Sequence, residues 1–309
     1  MTTEERPGDI DQTELARQFE EHRQYLRRLA YSTLGSLSDA DDVVQDAWLR
    51  LQRWHDTRSP GEQIDNLRAW LTTVTGRLAL DQLGSARARR EQYVGEWLPE
   101  PEVTTMDDPA DRISQDDRVT TALLVVLESL SPAERTAFVL QEVFGMTGPE
   151  VAEVVGRTPA AVRQLASRAR KHVEEGTPRF PASRDEHEKV VSAFALAWRS
   201  GDLSALLGVL DEKVTLTADG GGKVPAIREP LSGAELIAKL FFGWYKAGTG
   251  AWGKHVLVNG EPGLVVFDGS HTGVFSFIVD DGRITGITIV RNPDKLHEVP
   301  DDVEPDWYL

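Results

Sequence analysis

The sequence predicts a multidomain chain in which two all-α domains are followed by a domain of mixed α+β structure. Three observations predict this arrangement. Apolar residues recur at helical spacing through 1–95 and again through 118–176. An acidic, proline-containing stretch separates these two blocks. Beyond about residue 250, apolar residues alternate with period two between Gly and Asp turns, as they do in antiparallel strands.

The first block, 1–95, is expected to contain three helices. The first covers 12–34 and the second runs to about Trp54, with Ser38 and Asp41 forming a capping box at its start. After a loop, the third helix runs from about residue 66 to about residue 93.

The stretch 96–117 has the composition of a linker, with three prolines, eight acids and one base. The second block, 118–176, predicts a helix at about 117–129, a second helix that begins at LSPAER, and then a helix-turn-helix at 146–173. Its helices are expected to be capped by Ser131 and Thr158, and the short helix between them ends at a glycine.

A second linker at 177–186 leads to the last domain, 187–309. Helices are expected at 187–200, 202–210 and 233–248, before and among the strands. The last 16 residues carry six acids and one lysine, and they are expected to form an exposed tail.

Composition excludes several classes of protein. The 309 residues include no cysteine, which excludes disulfides, cysteine nucleophiles and zinc fingers. No apolar run approaches the roughly 20 residues that span a bilayer, and the acidic N-terminus does not resemble a secretory signal. The expectation is a cytoplasmic protein with no membrane partner, no metal and no cofactor.

The helix after Thr158 carries the strongest functional pattern. Val162, Leu165, Ala166, Ala169 and Val173 form a predicted buried stripe, and no acid occurs between residues 157 and 173 although the chain has a net charge of −16. A plain solvated face is the alternative, but it would be expected to contain acids. Arginine binds guanine and glutamine binds adenine in the major groove. The predicted DNA-reading residues are Thr158, Arg163, Gln164, Ser167, Arg168 and Lys171.

The first block combines aromatic residues with cations. Aromatic rings hold unstacked bases and arginines hold the backbone of single strands. Trp54 and Trp70 taken singly are better explained as core residues, so the combination carries the prediction. The candidate residues for single-strand binding are Trp54, Arg68, Trp70, Arg77, Arg87, Arg89 and Arg90.

Two long segments resemble a known family. The run LGSLSDADDVVQDAWLRLQRW with NLRAWLTTVTGRLALDQLGSARARRE resembles region two of extracytoplasmic-function sigma factors. The run LSPAERTAFVLQEVFGMTGPEVAEVVGRTPAAVRQLASRARKHV resembles their region four. The last domain resembles the SnoaL-type, nuclear-transport-factor-like cone that one subgroup carries. The marker motifs DGGGK (Asp219, Gly220, Gly221, Gly222, Lys223) and NPDKL (Asn292, Pro293, Asp294, Lys295, Leu296) resemble those of that subgroup.

The resemblance implies a role in transcription initiation. The second helix would bind the β′ clamp helices of core RNA polymerase through Asp41, Asp42, Gln45, Asp46, Trp48 and Leu49, while region four would meet the β flap. The loop at 55–66 and the third helix would recognise and hold the melted minus-ten element of promoter DNA, with Asn66, Arg77 and Arg87 as contributors. The helix after Thr158 would read the minus-thirty-five element. The resemblance implies a monomer without a catalytic site, since polymerase carries the chemistry.

Several alternatives remain open on the residues. The acidic linker would either occupy a basic polymerase channel or serve as a solubilising spacer. The last domain is expected to regulate the sigma regions in cis, and whether its pocket holds a small molecule stays open. An acid–base site would draw on Asp219, Lys223, His255, Asp268 and His271 if they converge.

Two alternative hypotheses concern the function of the whole chain. It would be a one-component helix-turn-helix regulator with a ligand-binding domain, or a SnoaL-type cyclase with a helical appendage.

Overall fold

The computed structural model describes residues 12–59, 61–90, 93–106, 119–177, 182–248, 250–299 and 304–309, without the side chains of 86–90. The chain divides into two compact units. The first lies within Met1–Ala88 and Leu130–Lys171, and the second within Arg89–Ser129 and His172–Leu309. Each unit is therefore assembled from two separate stretches of the chain.

The described part of the chain contains ten α-helices and eight strands. The helices are α1 (Gln12–Leu34), α2 (Leu37–Thr57), α3 (Leu67–Arg90), α4 (Thr121–Leu127), α5 (Pro132–Phe138), α6 (Gly148–Val155), α7 (Pro159–Gly176), α8 (Arg184–Ser200), α9 (Leu203–Val209) and α10 (Ala234–Ala247). The strands are β1 (Val103–Thr105), β2 (Leu210–Asp219), β3 (Leu231–Ser232), β4 (Trp252–Val258), β5 (Glu261–Phe267), β6 (Thr272–Asp280), β7 (Arg283–Val290) and β8 (Trp307–Tyr308).

Most predicted caps of the first unit are confirmed. Ser131 and Glu134 form a capping box at α5, and the Thr158 hydroxyl accepts a hydrogen bond from the Ala161 N–H at 3.2 Å. The prediction for α2 was wrong by two residues, because the Ser36 hydroxyl, not that of Ser38, accepts the Asp39 N–H. Gly35 ends α1 with φ +68°, so the next residue is already placed to cap the following helix.

The helix-turn-helix packs against α1 and α3 within the first unit. Leu29 of α1 shares a buried apolar cluster with Leu140, Val151 and Val162. A Cβ atom at Gly76 of α3 would lie 3.0 Å from Cγ1 of Val154 in α6. The absence of a side chain at Gly76 therefore allows α3 and α6 to approach closely.

The second unit is an α+β domain built on one mixed sheet. Its strand order is β1-β4-β5-β6-β7-β2-β3, with β8 also paired to β4. The β2–β7 pair is parallel, while neighbouring pairs such as β4–β5 and β6–β7 are antiparallel. Helices α8 and α10 supply Phe194, Trp198 and Phe241 to a core completed by sheet residues such as Phe277.

Part of the expected acidic linker is folded. Residues 103–105 form β1, which pairs with β4 and places Val103 opposite Val258. Val103 joins an apolar cluster with Val256 and Val274. This part of the linker therefore extends the sheet and contributes to its apolar face, which a free spacer would not do. Residues 107–118, the rest of the acidic stretch, lie outside the described part of the chain.

The helix expected at 117–129 also belongs to the second unit. It forms α4, and its Thr121 hydroxyl donates to Asn259 Oδ1 at 3.2 Å. The predicted 118–176 block is thus divided in the structure, with its first helix in the second unit and its helix-turn-helix in the first.

The expectation of an exposed tail was wrong for its last residues. Trp307 in β8 is only 4 % exposed, and β8 pairs with β4 so that Trp307 lies opposite Gly253. A Cβ at Gly253 would lie 2.1 Å from the Trp307 ring, so a glycine is required there. Burial of the Trp307 side chain thus stabilises the docking of this segment on the sheet in spite of its acidic composition.

None of the helices in the described ranges is long and apolar enough to cross a membrane.

Candidate promoter and polymerase interfaces

Helix α7 presents the polar face predicted for it. Val162, Ala166 and Ala169 are buried, and Leu165 and Val173 are partly buried. The side chains predicted to read DNA are exposed, namely Thr158, Arg163, Gln164, Ser167, Arg168 and Lys171. One stripe of α7 thus packs against the protein and the other carries polar and cationic side chains at the surface, where Arg168 Nε lies 3.1 Å from Glu134 Oε1.

Arg170 is a further cation on this face that the sequence reasoning missed. It lies seven residues after Arg163, two helical turns on, which places both on one side of α7. Arg170 is exposed and its guanidinium donates to Glu142 Oε1 at 2.5 Å. The spacing of seven residues was the signal that would have found it.

Helix α3 carries the residues predicted to bind a single strand. The Asn66 side chain accepts the Ala69 N–H at 3.0 Å and so caps the helix. Arg68 stacks over the Tyr25 ring at 4.2 Å, and Trp70 lies 6.3 Å from Trp54 between ring centroids. The side chains of Arg87, Arg89 and Arg90 lie outside the described part of the structure.

The helix-turn-helix covers part of this α3 surface. Arg77 donates to Oε1 of Glu153 at 3.0 Å and to the Glu153 carbonyl at 3.1 Å. A groove of about 560 Å³ lies between the two elements. Its wall includes Tyr25, Asn66, Arg68, Trp70 and Arg77 from one side and Phe144, Met146, Glu150 and Glu153 from the other.

The charges in this groove are mixed. Glu150 and Glu153 face a surface whose cations are Arg68 and Arg77. Hydrogen bonds from the Thr147 hydroxyl and backbone N–H lower the pKa of Glu150, which keeps it ionised. These carboxylates offset part of the positive charge that Arg68 and Arg77 place in the groove.

Helix α2 presents an acidic surface. Asp41, Asp42, Gln45 and Asp46 are exposed, and Trp48 and Leu49 are partly buried beside them. The Trp48 ring packs against Phe19 at 5.1 Å, and Asp41 accepts from Arg27 at 2.8 Å. The surface combines negative charge with a held aromatic ring, which are features of a protein interface.

The motifs DGGGK and NPDKL come together in the second unit. We call residues 219–223 and 292–296 the motif cluster. Asp219 is 1 % exposed, and one of its carboxylate oxygens accepts from the Tyr93 hydroxyl at 2.6 Å and from the Gly221 N–H at 2.9 Å. The other accepts from the Leu98 N–H at 3.0 Å and from Lys295 Nζ at 2.7 Å.

The motif cluster therefore holds the start of the linker. Lys295 Nζ also donates to the Leu98 carbonyl at 2.5 Å and lies 3.9 Å from the centroid of the Trp97 ring. Gly222, with φ +70°, leaves room for Val94, which a Cβ would approach to 2.9 Å. Residues 93–98 are thus clamped by backbone, charge and ring contacts at once.

The acid–base candidates do not converge as a set. Asp219 lies in the motif cluster, Lys223 pairs with Asp294 and His255 Nδ1 lies 3.0 Å from Asp306.

Only Asp268 and His271 of the five line the same cavity. Asp268 accepts the Ser270 and His271 N–H groups and also pairs with Arg291, so its carboxylate is already engaged and is poorly suited to act as a base.

Comparisons with known proteins agree with this geometry. The family described as Sigma-70 region 2 matches residues 18–89, and the family described as Sigma-70, region 4 matches residues 120–173. The ECF RNA polymerase sigma factor SigJ of Mycobacterium tuberculosis is 39 % identical over 297 residues, covering 92 % of this chain and 93 % of the relative.

The chain belongs to the extracytoplasmic-function RNA polymerase sigma factors.

A second relative and a solved structure extend the match. The probable ECF RNA polymerase sigma factor SigI of M. tuberculosis is 36 % identical over 278 residues, 89 % of this chain and 92 % of the relative. The crystal structure of M. tuberculosis SigJ matches with a TM-score of 0.74 and 37 % identity over 92 % of this chain and 99 % of that one.

The predicted fold class is confirmed, with two helical sigma regions and an α+β, SnoaL-like domain. As a sigma factor, the protein directs RNA polymerase in promoter-specific transcription initiation. Its family consists of transcription factors that bind core RNA polymerase and promoter DNA and is not an enzyme family.

Proposed function

We propose that helix α7 reads the minus-thirty-five element through the exposed residues Arg163, Gln164, Ser167, Arg168 and Lys171, with Thr158 at its start. The exposure of these side chains supports this role, because base readout requires groups that can leave water for a groove. Arg170 joins them as a cation on the same side.

The melted minus-ten strand would lie along α3. Asn66, Arg68, Trp70 and Arg77 line one groove, where stacking and phosphate contacts can be made together. Arg77 is occupied by Glu153, so this binding requires the helix-turn-helix to move off α3. Arg87, Arg89 and Arg90 would extend the cationic surface along the same helix.

Core polymerase would bind the acidic surface of α2. Asp41, Asp42 and Asp46 would pair with cations of the β′ clamp helices, and Trp48 with Leu49 would supply the apolar contact. Region four would meet the β flap. The sigma factor would act in the cytoplasm as a monomer and contribute binding energy without catalysis, metal or cofactor of its own.

The SnoaL-like domain would regulate these activities in cis. The observation that carries this proposal is the clamp on residues 93–98, since Asp219 and Lys295 hold the Leu98 backbone from both sides. The contacts with Asp219 and Lys295 restrict the movement of residues 93–98, which follow α3. Release of the clamp would free these residues to move.

Run-off transcription with purified core polymerase on genomic fragments tests the proposal. The full chain is expected to confer start-site selection, and Lys295→Met is expected to change promoter output by several-fold relative to Lys223→Met. Equal output from both variants and the parent would reject cis regulation through the clamp. Failure of the full chain to select any start site would reject the promoter assignments.

A further inference from the structure

The SnoaL-like domain contains a cavity of about 120 Å³ between α8, α10 and the sheet. Its wall is largely aromatic and aliphatic, with Trp198, Trp244, Phe275 and Ile289 among the lining residues. An apolar protein cavity of roughly 150 Å³ binds one benzene molecule. The space of about 120 Å³ is somewhat smaller, so it suits at most a molecule built on one ring.

Polar groups gather on one part of this wall. Asp268, His271 and Arg291 all line the cavity, and Arg291 Nη2 donates to Asp268 Oδ2. Asp268 Oδ1 accepts the Ser270 N–H at 3.0 Å and the His271 N–H at 2.8 Å. Although burial raises the pKa of Asp268, these hydrogen bonds and the Arg291 charge lower it overall, so the carboxylate is ionised.

The donors of this wall outnumber its unoccupied acceptors. Among the described residues, Asp268 accepts one N–H of the Arg291 guanidinium. The other N–H groups of this guanidinium are available to an acceptor. Trp198, 2 % exposed, has an indole N–H without a hydrogen-bond partner among the described residues. A ligand that supplies an acceptor oxygen would complement this wall.

The charge of the wall selects between neutral and anionic ligands. Asp268 already compensates the charge of Arg291, so this pair leaves no net positive charge for an anion. A carboxylate would lose its hydration and lie near Asp268 without a free countercharge, which is costly in an apolar cavity. A neutral carbonyl or hydroxyl oxygen carries no such penalty.

We propose that this cavity is a binding site for a neutral, single-ring molecule whose carbonyl or hydroxyl oxygen accepts hydrogen bonds from Arg291. None of the residues that line the cavity is among those proposed to bind promoter DNA or polymerase, and the proposal does not depend on the roles assigned to them. Binding is measured on the full chain without polymerase, so its failure and the failure of the proposed function are distinguishable.

Isothermal titration calorimetry with three probes tests the assignment. Acetophenone offers the ring and a neutral carbonyl, toluene offers the ring alone, and benzoate offers the ring with an anion. Acetophenone is expected to bind saturably with one site per chain. Toluene is expected to bind about fivefold more weakly because one hydrogen bond is lost, and benzoate at least tenfold more weakly.

Two kinds of variant locate the binding. Gly273→Val places a side chain beside Arg291 and Phe275 in the cavity wall and is expected to abolish acetophenone binding. Arg291→Met is expected to reduce acetophenone affinity to that of toluene, while Arg291→Lys retains the preference for the carbonyl. Unfolding curves of each variant show that the domain is intact, and the Arg291 pair carries the test if Gly273→Val does not fold.

The absence of saturable binding by acetophenone would overturn the proposal. Unchanged acetophenone affinity in Arg291→Met would show that this arginine is not the donor, and a preference for benzoate would show that the ligand is an anion. Either result would also overturn it.

Discussion

Lys295 and Lys223 each pair with a carboxylate of the motif cluster, but at different depths. The side chains of Lys295 and Asp219 are 10 % and 0 % exposed, at 2.7 Å, whereas those of Lys223 and Asp294 are 52 % and 60 % exposed. Removing one partner of a buried pair leaves an uncompensated charge and costs about 3–5 kcal/mol. An exposed pair contributes at most about 1 kcal/mol.

We therefore expect Lys295→Met to lower the free energy of unfolding of the second unit by about 3 kcal/mol, and Lys223→Met to lower it by less than about 1 kcal/mol. Denaturant unfolding of the full chain, followed by a probe in the second unit, measures both. Equal effects of the two substitutions would contradict the burial argument.

His187 makes a second prediction at the residue scale. Its side chain is 5 % exposed, and burial lowers its pKa from 6.5 to about 4. A folded-state pKa below the unfolded value means that the unfolded chain binds the proton first as pH falls. The stability contribution is complete above about pH 6.5 and is lost between about pH 6.5 and pH 4.

Between pH 7 and pH 5 this linkage amounts to about 2 kcal/mol of lost stability. Burial raises the pKa of Glu261 to about 7, which produces the opposite slope over much of the same range. The measurement is consequently the difference between the parent and His187→Gln in unfolding free energy against pH. His172→Gln, which removes an exposed histidine, is the control, and an unchanged slope in His187→Gln would refute the assignment.

At the scale of elements, the close approach of α3 and α6 depends on Gly76. A leucine at Gly76 would collide with Val154, whereas a side chain at Gly84 of the same helix would meet nothing within 4 Å. Both substitutions raise helix propensity equally. We expect Gly76→Leu to push α6 away from α3, so that hydrogen exchange in α6 becomes at least tenfold faster, while Gly84→Leu leaves it unchanged.

Hydrogen–deuterium exchange read by mass spectrometry over residues 148–155 distinguishes the two variants. The same protection in Gly76→Leu and Gly84→Leu would show that the packing of α6 on α3 does not depend on this glycine.

Elements with strong local signals were predictable from the sequence. The caps at Ser131 and Thr158, the glycine that ends α6 and the alternating strands β4–β7 are all encoded within a few residues. Strands β1 and β8 are short, lie in acidic segments and gain their stability from β4, which lies far away in sequence. The predictions of a linker and of an exposed tail from local composition were therefore wrong for these strands, because both form only by pairing with β4.

At the scale of the whole molecule, the sequence predicted which residues belong to each candidate surface but not which of them are in contact. The exposed stripe of α7 follows from its period, since its members lie on one helix. The pairing of Arg77 with Glu153 and the contact between the two motifs, Lys295 with Asp219, depend on long-range packing. Resemblance to a family marked the motifs DGGGK and NPDKL, and the structure supplied the contacts that join them to residues 93–98.

Division of the chain into two interleaved units limits what truncation can reveal. Removing everything after residue 184 would strip β1 and α4 of the sheet against which they pack. Loss of activity in such a fragment would report unfolding as much as regulation. Single substitutions in the motif cluster reduce this problem, because they leave in place the sheet on which β1 and α4 pack, and the unfolding curves show whether the unit is intact.

Start-site selectivity in run-off transcription, compared between Arg163→Ala and Arg157→Ala, tests the central claim most directly. Both substitutions remove one exposed cation, but only Arg163 lies on the proposed reading face of α7. We expect Arg163→Ala to reduce discrimination between a promoter and its minus-thirty-five mutant by about 10- to 100-fold, as loss of about 1–3 kcal/mol of base readout requires. Arg157→Ala would alter output without altering discrimination. Full discrimination in Arg163→Ala, or no start-site selection by the parent chain with core polymerase, would contradict the account.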